Sequence, residues 1–312
     1  MSLVVLKAQG QSLLVDRGRT GAQAMGLSQG GALDEYSYLW ANRLLGNSPS
    51  AAAVEITLGQ LTLKAQASTN LAFTGAQIPV WVNRTPIPPW STVSIAEGDV
   101  IEVGFYQGQG TRLYMAVKGG FQAPEFFSSK SCVPREQLGG HNEGQVIQVG
   151  DALHFQPTPP LTKHRLTPPG LRKLPSETLT LRYIPGYQYE EFPAAARQRF
   201  NETTFTLSPH MDRMGFRLSG PELPTPTQQI TSEGIALGSI QITPDGQPIV
   251  LMQDRQNIGG YPKIGVIYRV DMGLLAQCAP GHRLRFQEGN VEEAWHLLQQ
   301  REAFFRHHMH RP

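Results

Sequence analysis

The 312-residue chain is poor in cysteine, nearly balanced in charge and free of long apolar runs. Its two cysteines, Cys132 and Cys278, are too few for a disulfide framework or a cysteine-based zinc site, which fits a reducing compartment. Lys and Arg number 27 against 25 for Asp and Glu, and no basic cluster carries interleaved aromatics, so no nucleic-acid partner is expected. The opening MSLVVLKAQG lacks the regions of a secretory signal, and no segment approaches the roughly 20 apolar residues of a membrane span. A cytoplasmic protein with no membrane partner is expected. Chemical motifs are sparse too: there is no GxxxxGK[ST], no HExxH and no paired-cysteine motif, and no GxSxG elbow stands out. The one GxG, at Gly108 and Gly110, lacks a third glycine and does not open a helix. No metal ligand set is expected; His307, His308 and His310 read as a solvated terminus, and Cys132 as a small buried residue beside Lys130.

What is abundant is glycine, at 32 residues, and proline, at 24, with 40% of the chain hydrophobic. A chain that turns this often while keeping enough apolar residues for a core favours strands. Short β-branched and apolar runs recur between turns: LTLKAQA from Leu61, NLAFTGA from Asn70, IPVWVN from Ile78, RLYMAV from Arg112, and later LTLRYIP, GSIQIT, PIVLMQD and HRLRF. A Gly-led turn before an alternating strand is echoed in AEGDVIEV, QVGDALHF and APGHRLRF. The fold class expected is mainly β with a few helices. One helix is capped by Asp34 and stopped at Gly46-Asn47, with Leu33, Tyr36, Trp40 and Leu44 on one face. A second follows Pro193 with Phe192, Ala196 and Phe200 as its stripe; a third starts at Asn290, with Val291, Ala294, Trp295, Leu298 and Phe305 along one side. The expected domains are 1–157, a Pro-rich linker at 158–177, a second β domain at 178–290, and a C-terminal helix and tail at 291–312.

Three segments hold polar residues that a plain core would not want. Gly30-Gly31 precede a helix start and leave N–H groups for an anion. SPHMDRMGFRLSG places Asp212 and Arg213 beside a Met-Gly bend. In the third, Pro244-Asp245-Gly246 makes a hairpin turn, and Gln253 to Asn257 then leave a buried strand and enter Gly259-Gly260. The plain reading of the first segment is a turn plus N-cap, and the third is equally consistent with a solvated connection.

GGALDEYSYLWANRLLGN, AAVEITLG, AVKGGFQAPEFF, PGYQYEEF, DRMGFRL, SEGIALGSIQITPDGQPIVLMQDRQNIGGYPKIG and AQCAPGHRLRF together resemble the carboxyltransferase-like family across Gly21 to Ala294. That family includes a subunit of the bacterial ATP-dependent 5-oxoprolinase, the Kip-type antagonist of a sporulation kinase inhibitor, and part of urea carboxylase. The resemblance implies two cyclophilin-like β-barrel domains. It implies a subunit that helps convert 5-oxoproline to L-glutamate with ATP hydrolysis, by phosphorylating the lactam, alongside 5-oxoprolinase subunits B and A. ATP and Mg²⁺ are then the implied cofactors, shared with or bound by the partner, with no biotin on this chain. The alternatives are a regulatory subunit of the Kip type and a carboxyltransferase component acting on a urea-like amide. The candidate catalytic residues are Arg213, Asp254 and Lys263; the candidate substrate-binding residues are Glu55, Gln241, Gln256, Asn257, Gly259, Gly260 and Tyr261, with Asp254 and Glu55 as candidate Mg²⁺ holders. Arg213 is expected in a cleft, not in a surface ion pair.

Overall fold

The computed structural model describes residues 1–226 and 230–306, so the histidines at 307, 308 and 310 lie outside the described residues. The fold is mostly β and divides into two compact units: residues 1–22, 29–174 and 304–306 in the first, residues 23–28 and 175–303 in the second. No helix among the described residues is long and apolar enough to cross a membrane.

The first unit holds β1 (Ser2–Ala8), β2 (Ser12–Val15), β3 (Ala53–Thr57), β4 (Gly59–Ala65), β5 (Thr69–Gly75), β6 (Val80–Val82), β7 (Thr85–Ile87), β8 (Ser91–Ile95), β9 (Val100–Phe105), β10 (Arg112–Val117) and β11 (Ala152–His154), with helix α1 (Glu35–Leu45) between β2 and β3. These strands form two sheets, ordered β11-β1-β4-β9-β6-β7 and β2-β3-β10-β5-β8. Strand alternation explains how the layers pack. On β10, Leu113, Met115 and Val117 enter a core shared with β1, β4 and β9, while Tyr114 and Ala116 face the cluster built on α1. The second sheet is therefore covered on both faces. Each fully buried Leu, Ile or Phe there contributes about 1.5–3 kcal/mol. The helix starts where the sequence places it: the Asp34 side chain accepts from the Ser37 N–H and hydroxyl, and Gly46 closes the C-terminus in the left-handed region.

The proline-rich stretch is fastened to the first unit as far as residue 174. Asn70 Nδ2 donates to Thr158 Oγ1 and the Pro159 carbonyl, Arg165 N–H donates to Thr92 Oγ1, Thr167 N–H to the Trp90 carbonyl, and Tyr36 Oη–H to the Leu171 carbonyl. Proline removes donors from this segment, but its carbonyls and remaining N–H groups still find partners.

The second unit holds β12 (Thr178–Pro185), β13 (Phe205–Met211), β14 (Gly215–Ser219), β15 (Glu233–Gly234), β16 (Ser239–Ile242), β17 (Pro248–Leu251), β18 (Ile258–Gly259), β19 (Lys263–Ile267) and β20 (Arg283–Glu288), with α2 (Ala194–Glu202), α3 (Met272–Ala276) and the start of α4 (Val291–Arg306). Seven strands close a barrel in the order β12-β19-β16-β17-β14-β13-β20, sealed by the parallel pair of β12 and β20. β15 and β18 form a separate two-stranded ribbon. An aromatic cluster joins α2 to the barrel strands, with Phe200 of α2 stacked on Phe286 at 4.4 Å and Tyr183 and Phe205 edge-on or tilted against them. The echoed turn recurs with the same geometry: Gly98, Gly150 and Gly281 have φ of 89°, 93° and 87°, which suits glycine, and each donates its N–H to a strand carbonyl.

The apolar stripe expected along α4 is not buried throughout. Val291 and Trp295 are 59% and 60% exposed, whereas Phe304 and Phe305 pack edge-on against Trp40. Ala294 and Leu298 are half-buried, and of the stripe Phe305 alone is fully buried among the described residues.

Candidate functional site

Arg213 sits at the bend between β13 and β14. Asp212 Oδ1 accepts from the N–H groups of Met214 and Gly215, at 2.7 and 3.1 Å, and fixes that bend as an Asx-type turn. The Arg213 guanidinium then forks onto Asp254, with Nε to Oδ2 at 2.8 Å and Nη2 to Oδ1 at 3.0 Å. Each side chain is 5% exposed, so the pair is buried and bidentate. The Asp254 N–H also donates to the Arg213 carbonyl, at 2.8 Å. Arg255 turns inward as well, donating from Nε to the Ile235 carbonyl and from Nη1 to the Met252 carbonyl. Burial, with the charge of Arg269 adding to it, lowers its pKa to about 10. Of the polar run after β17, residues 253 to 255 therefore point into the unit, while Gln256 is exposed and Asn257 half-buried.

A second cluster lies where β19 meets the ribbon. Lys263 Nζ is 2.5 Å from Glu233 Oε1, which also accepts from Gln188 Nε2 at 2.7 Å. The hydrogen bonds from Lys263 and Gln188 lower the Glu233 pKa from its ordinary value. Gln241 is the cross-strand partner of Lys263 and is 2% exposed. Its buried Nε2 has no hydrogen-bond partner among the described residues. Asn257 Oδ1 accepts from Gln23 Nε2 at 3.5 Å, and Tyr261, largely exposed, presents its carbonyl to Lys263 Nζ at 3.5 Å. Lys263, Gln241, Gln256, Gly259 and Tyr261 thus share one neighbourhood, whereas Arg213 and Asp254 hold each other.

The two glycines differ. A Cβ on Gly259 would lie 2.7 Å from Ile235 Cδ1 and 3.1 Å from both Gln241 Nε2 and Gln256 Nε2. On Gly260 the nearest atoms would be the Ile230 carbonyl oxygen at 3.3 Å and Ser232 Oγ at 3.4 Å. Gly259→Ala is accordingly expected to lower stability by about 1–3 kcal/mol, as overpacking does, with Gly260→Ala within about 0.5 kcal/mol of wild type. Urea unfolding of the two variants checks this, and equal midpoints would refute it.

Glu55 belongs to a buried network in the first unit. Its Oε2 accepts from the Leu33 N–H at 2.9 Å and from Tyr114 Oη–H at 2.7 Å, and Tyr114 Oη accepts in turn from the Asp34 N–H. Glu55 thereby fixes the entry to α1. The same bonds, with the Ala32 N–H donating to the Asp16 carbonyl, occupy donors that an anion at the helix start would use. Cys132 is fully buried, its thiol directed at the Gln145 carbonyl at 3.4 Å. A cavity of about 290 Å³ opens in this unit, lined by Phe73, Ile78, Trp90 and Leu113 among others, but no titratable side chain and no candidate residue lines it.

The residues do not suit the Mg²⁺ role. Asp254 is chelated by Arg213 and Glu55 is engaged at the start of α1, and no group of three or more His, Cys, Asp or Glu among the described residues could hold a metal ion. Gln188 and Glu233 were not singled out from the sequence, and Arg255 only as a member of the polar run Gln253 to Asn257. The signal was within reach, since Gln188 falls in PGYQYEEF and Glu233 and Arg255 in the SEGIALG-to-YPKIG stretch.

A mostly β fold with a closed seven-stranded barrel is in keeping with the family the sequence matches. The chain belongs to the carboxyltransferase domain family, subdomains A and B, matched over residues 25–288. It is 34% identical to the C-type subunit of 5-oxoprolinase from Escherichia coli, over 97% of this chain and 96% of that one, and 32% identical to the same subunit from Haemophilus influenzae, over 96% and 95%. Among solved structures, Kluyveromyces lactis urea carboxylase superposes with a TM-score of 0.92 over 98% of this chain at 24% identity, which establishes the fold. The chain spans 29% of that larger protein.

Proposed function

We propose that this chain is a C-type subunit of an ATP-dependent 5-oxoprolinase, recognising the lactam while companion subunits B and A handle the nucleotide and complete ring opening. The observation that carries the reading is the end-to-end match to two relatives, each named as the C-type subunit of a 5-oxoprolinase. The lactam is a small planar amide with a carboxylate, and its recognition calls for a cation and amide donors in a water-poor setting. Lys263, Gln188, Gln241 and Gln256 are of that chemistry. Ring opening adds water across the lactam C–N bond, freeing the amine and a second carboxylate of glutamate. The carboxylates of Asp254 and Glu55 are engaged by Arg213 and by the α1 entry, which supports a reading in which a companion subunit binds ATP and its metal.

Reconstitution tests the reading. The chain, its two companion subunits, ATP, Mg²⁺ and 5-oxoproline are expected to yield glutamate, with no turnover from the chain alone. Glutamate from the isolated chain at the rate of the full mixture would remove the subunit assignment. Undiminished turnover after omitting the chain would select the regulatory role.

A further inference from the structure

Glu233 accepts from Lys263 and Gln188. Its two donors are fixed and buried: Lys263 stands on a barrel strand at 6% exposure, and Gln188, at 7%, follows β12. Gln188 is tied in further by its Oε1, which accepts from the Lys263 N–H at 3.3 Å. The acceptor is held differently. The Glu233 side chain is 37% exposed and arrives on β15, two residues long, whose strand pairing is with β18. A buried cation and a buried amide thus face a half-open carboxylate on a short ribbon.

A third donor stands beside them unused. Buried donors in folded proteins are satisfied by protein, by water or by a ligand, yet Gln241 Nε2, on the cross-strand partner of Lys263, is bonded to no described residue. The spot beside Gly259, kept clear by the missing Cβ, is 3.1 Å from this nitrogen and from Gln256 Nε2.

We propose that Lys263, Gln188 and Gln241 bind a small ligand carrying a carboxylate next to an amide carbonyl, and that Glu233 is its internal stand-in, displaced when the ligand enters. The ligand's carboxylate takes the bonds of Lys263 and Gln188; its carbonyl oxygen takes the Gln241 donor. The identity of the ligand as 5-oxoproline rests on the function proposed above, whereas the donor chemistry does not. A stand-in lowers apparent affinity by the fraction of molecules it occupies.

Calorimetric titration of the full chain tests this with three probes: 5-oxoproline, pyrrolidinone, which lacks the carboxylate, and proline, which lacks the lactam carbonyl. Glu233→Gln keeps the shape and removes the competing charge. It is expected to bind 5-oxoproline about tenfold more tightly, the gain if the stand-in form outweighs the open one ten to one, with pyrrolidinone unchanged. Gln241→Met is expected to weaken 5-oxoproline binding about tenfold, to leave proline unaffected, and to keep or raise the melting temperature, because no hydrogen bond is lost. Unchanged or weaker 5-oxoproline binding by Glu233→Gln overturns the stand-in. A Gln241→Met chain with lower stability and full affinity makes Gln241 structural and overturns its role. If the chain in every form fails to bind 5-oxoproline while the reconstituted mixture turns over, the site is wrong and the subunit assignment stands. If binding responds to Glu233→Gln while the mixture makes no glutamate, the site stands and the assignment falls.

Discussion

Asp254→Ala is expected to destabilise the second unit by about 3–5 kcal/mol, because it leaves the Arg213 guanidinium buried without its counter-charge. Both groups are nearly out of water and share two hydrogen bonds, so neither can relax into solvent without breaking the packing at the bend between β13 and β14. Arg213→Lys is expected to lose a substantial part of the same energy, since one ammonium cannot reproduce a planar fork on two oxygens. Removing both charges together, as Arg213→Met with Asp254→Leu, is expected to recover most of the loss, because the main cost of a single replacement is the orphaned partner. Urea unfolding of the full chain reads all three. Single variants within about 0.5 kcal/mol of wild type would show that the pair contributes little to the fold.

How legible this was differs by level. Strand positions in the second half were readable because alternation and turn residues agree: GSIQIT and PIVLMQD became β16 and β17 around the turn at Asp245-Gly246. The first strand was missed, since SLVVLKA reads as an apolar start with no turn before it, and its partners β4 and β11 are far along the chain. α3 was missed because five residues show no period. In the site, residue types pointed to Arg213, Asp254 and Lys263, but the partnerships did not follow from sequence. The Arg213–Asp254 contact spans 41 positions, and Glu233 reaches Lys263 only because β15 pairs with β18. Glu55 looked like a free carboxylate for the same reason, its partners Tyr114 and Leu33 being brought to it by the sheet and the α1 entry.

Lys263→Met is expected to separate recognition from stability. Lys263 is buried, but its partner Glu233 is partly in water, so the pair contributes little to folding, under about 1 kcal/mol. A hydrogen bond between a charged donor and the carboxylate of a ligand contributes about 1.5–3 kcal/mol, which corresponds to a rise in KM for 5-oxoproline of about 10- to 150-fold in the reconstituted enzyme. If Lys263 acts only in binding, kcat stays near wild type and kcat/KM falls by the same factor as KM rises. Lys263→Arg keeps the charge and is expected to recover part of the loss, its bulk setting the limit beside Gln188 and Gln241. The contrast with Asp254→Ala is the informative part, since that variant should unfold readily and this one should fold normally and bind poorly. A Lys263→Met enzyme with wild-type KM would take the cation out of substrate recognition and leave Lys263 as the partner of Glu233 alone.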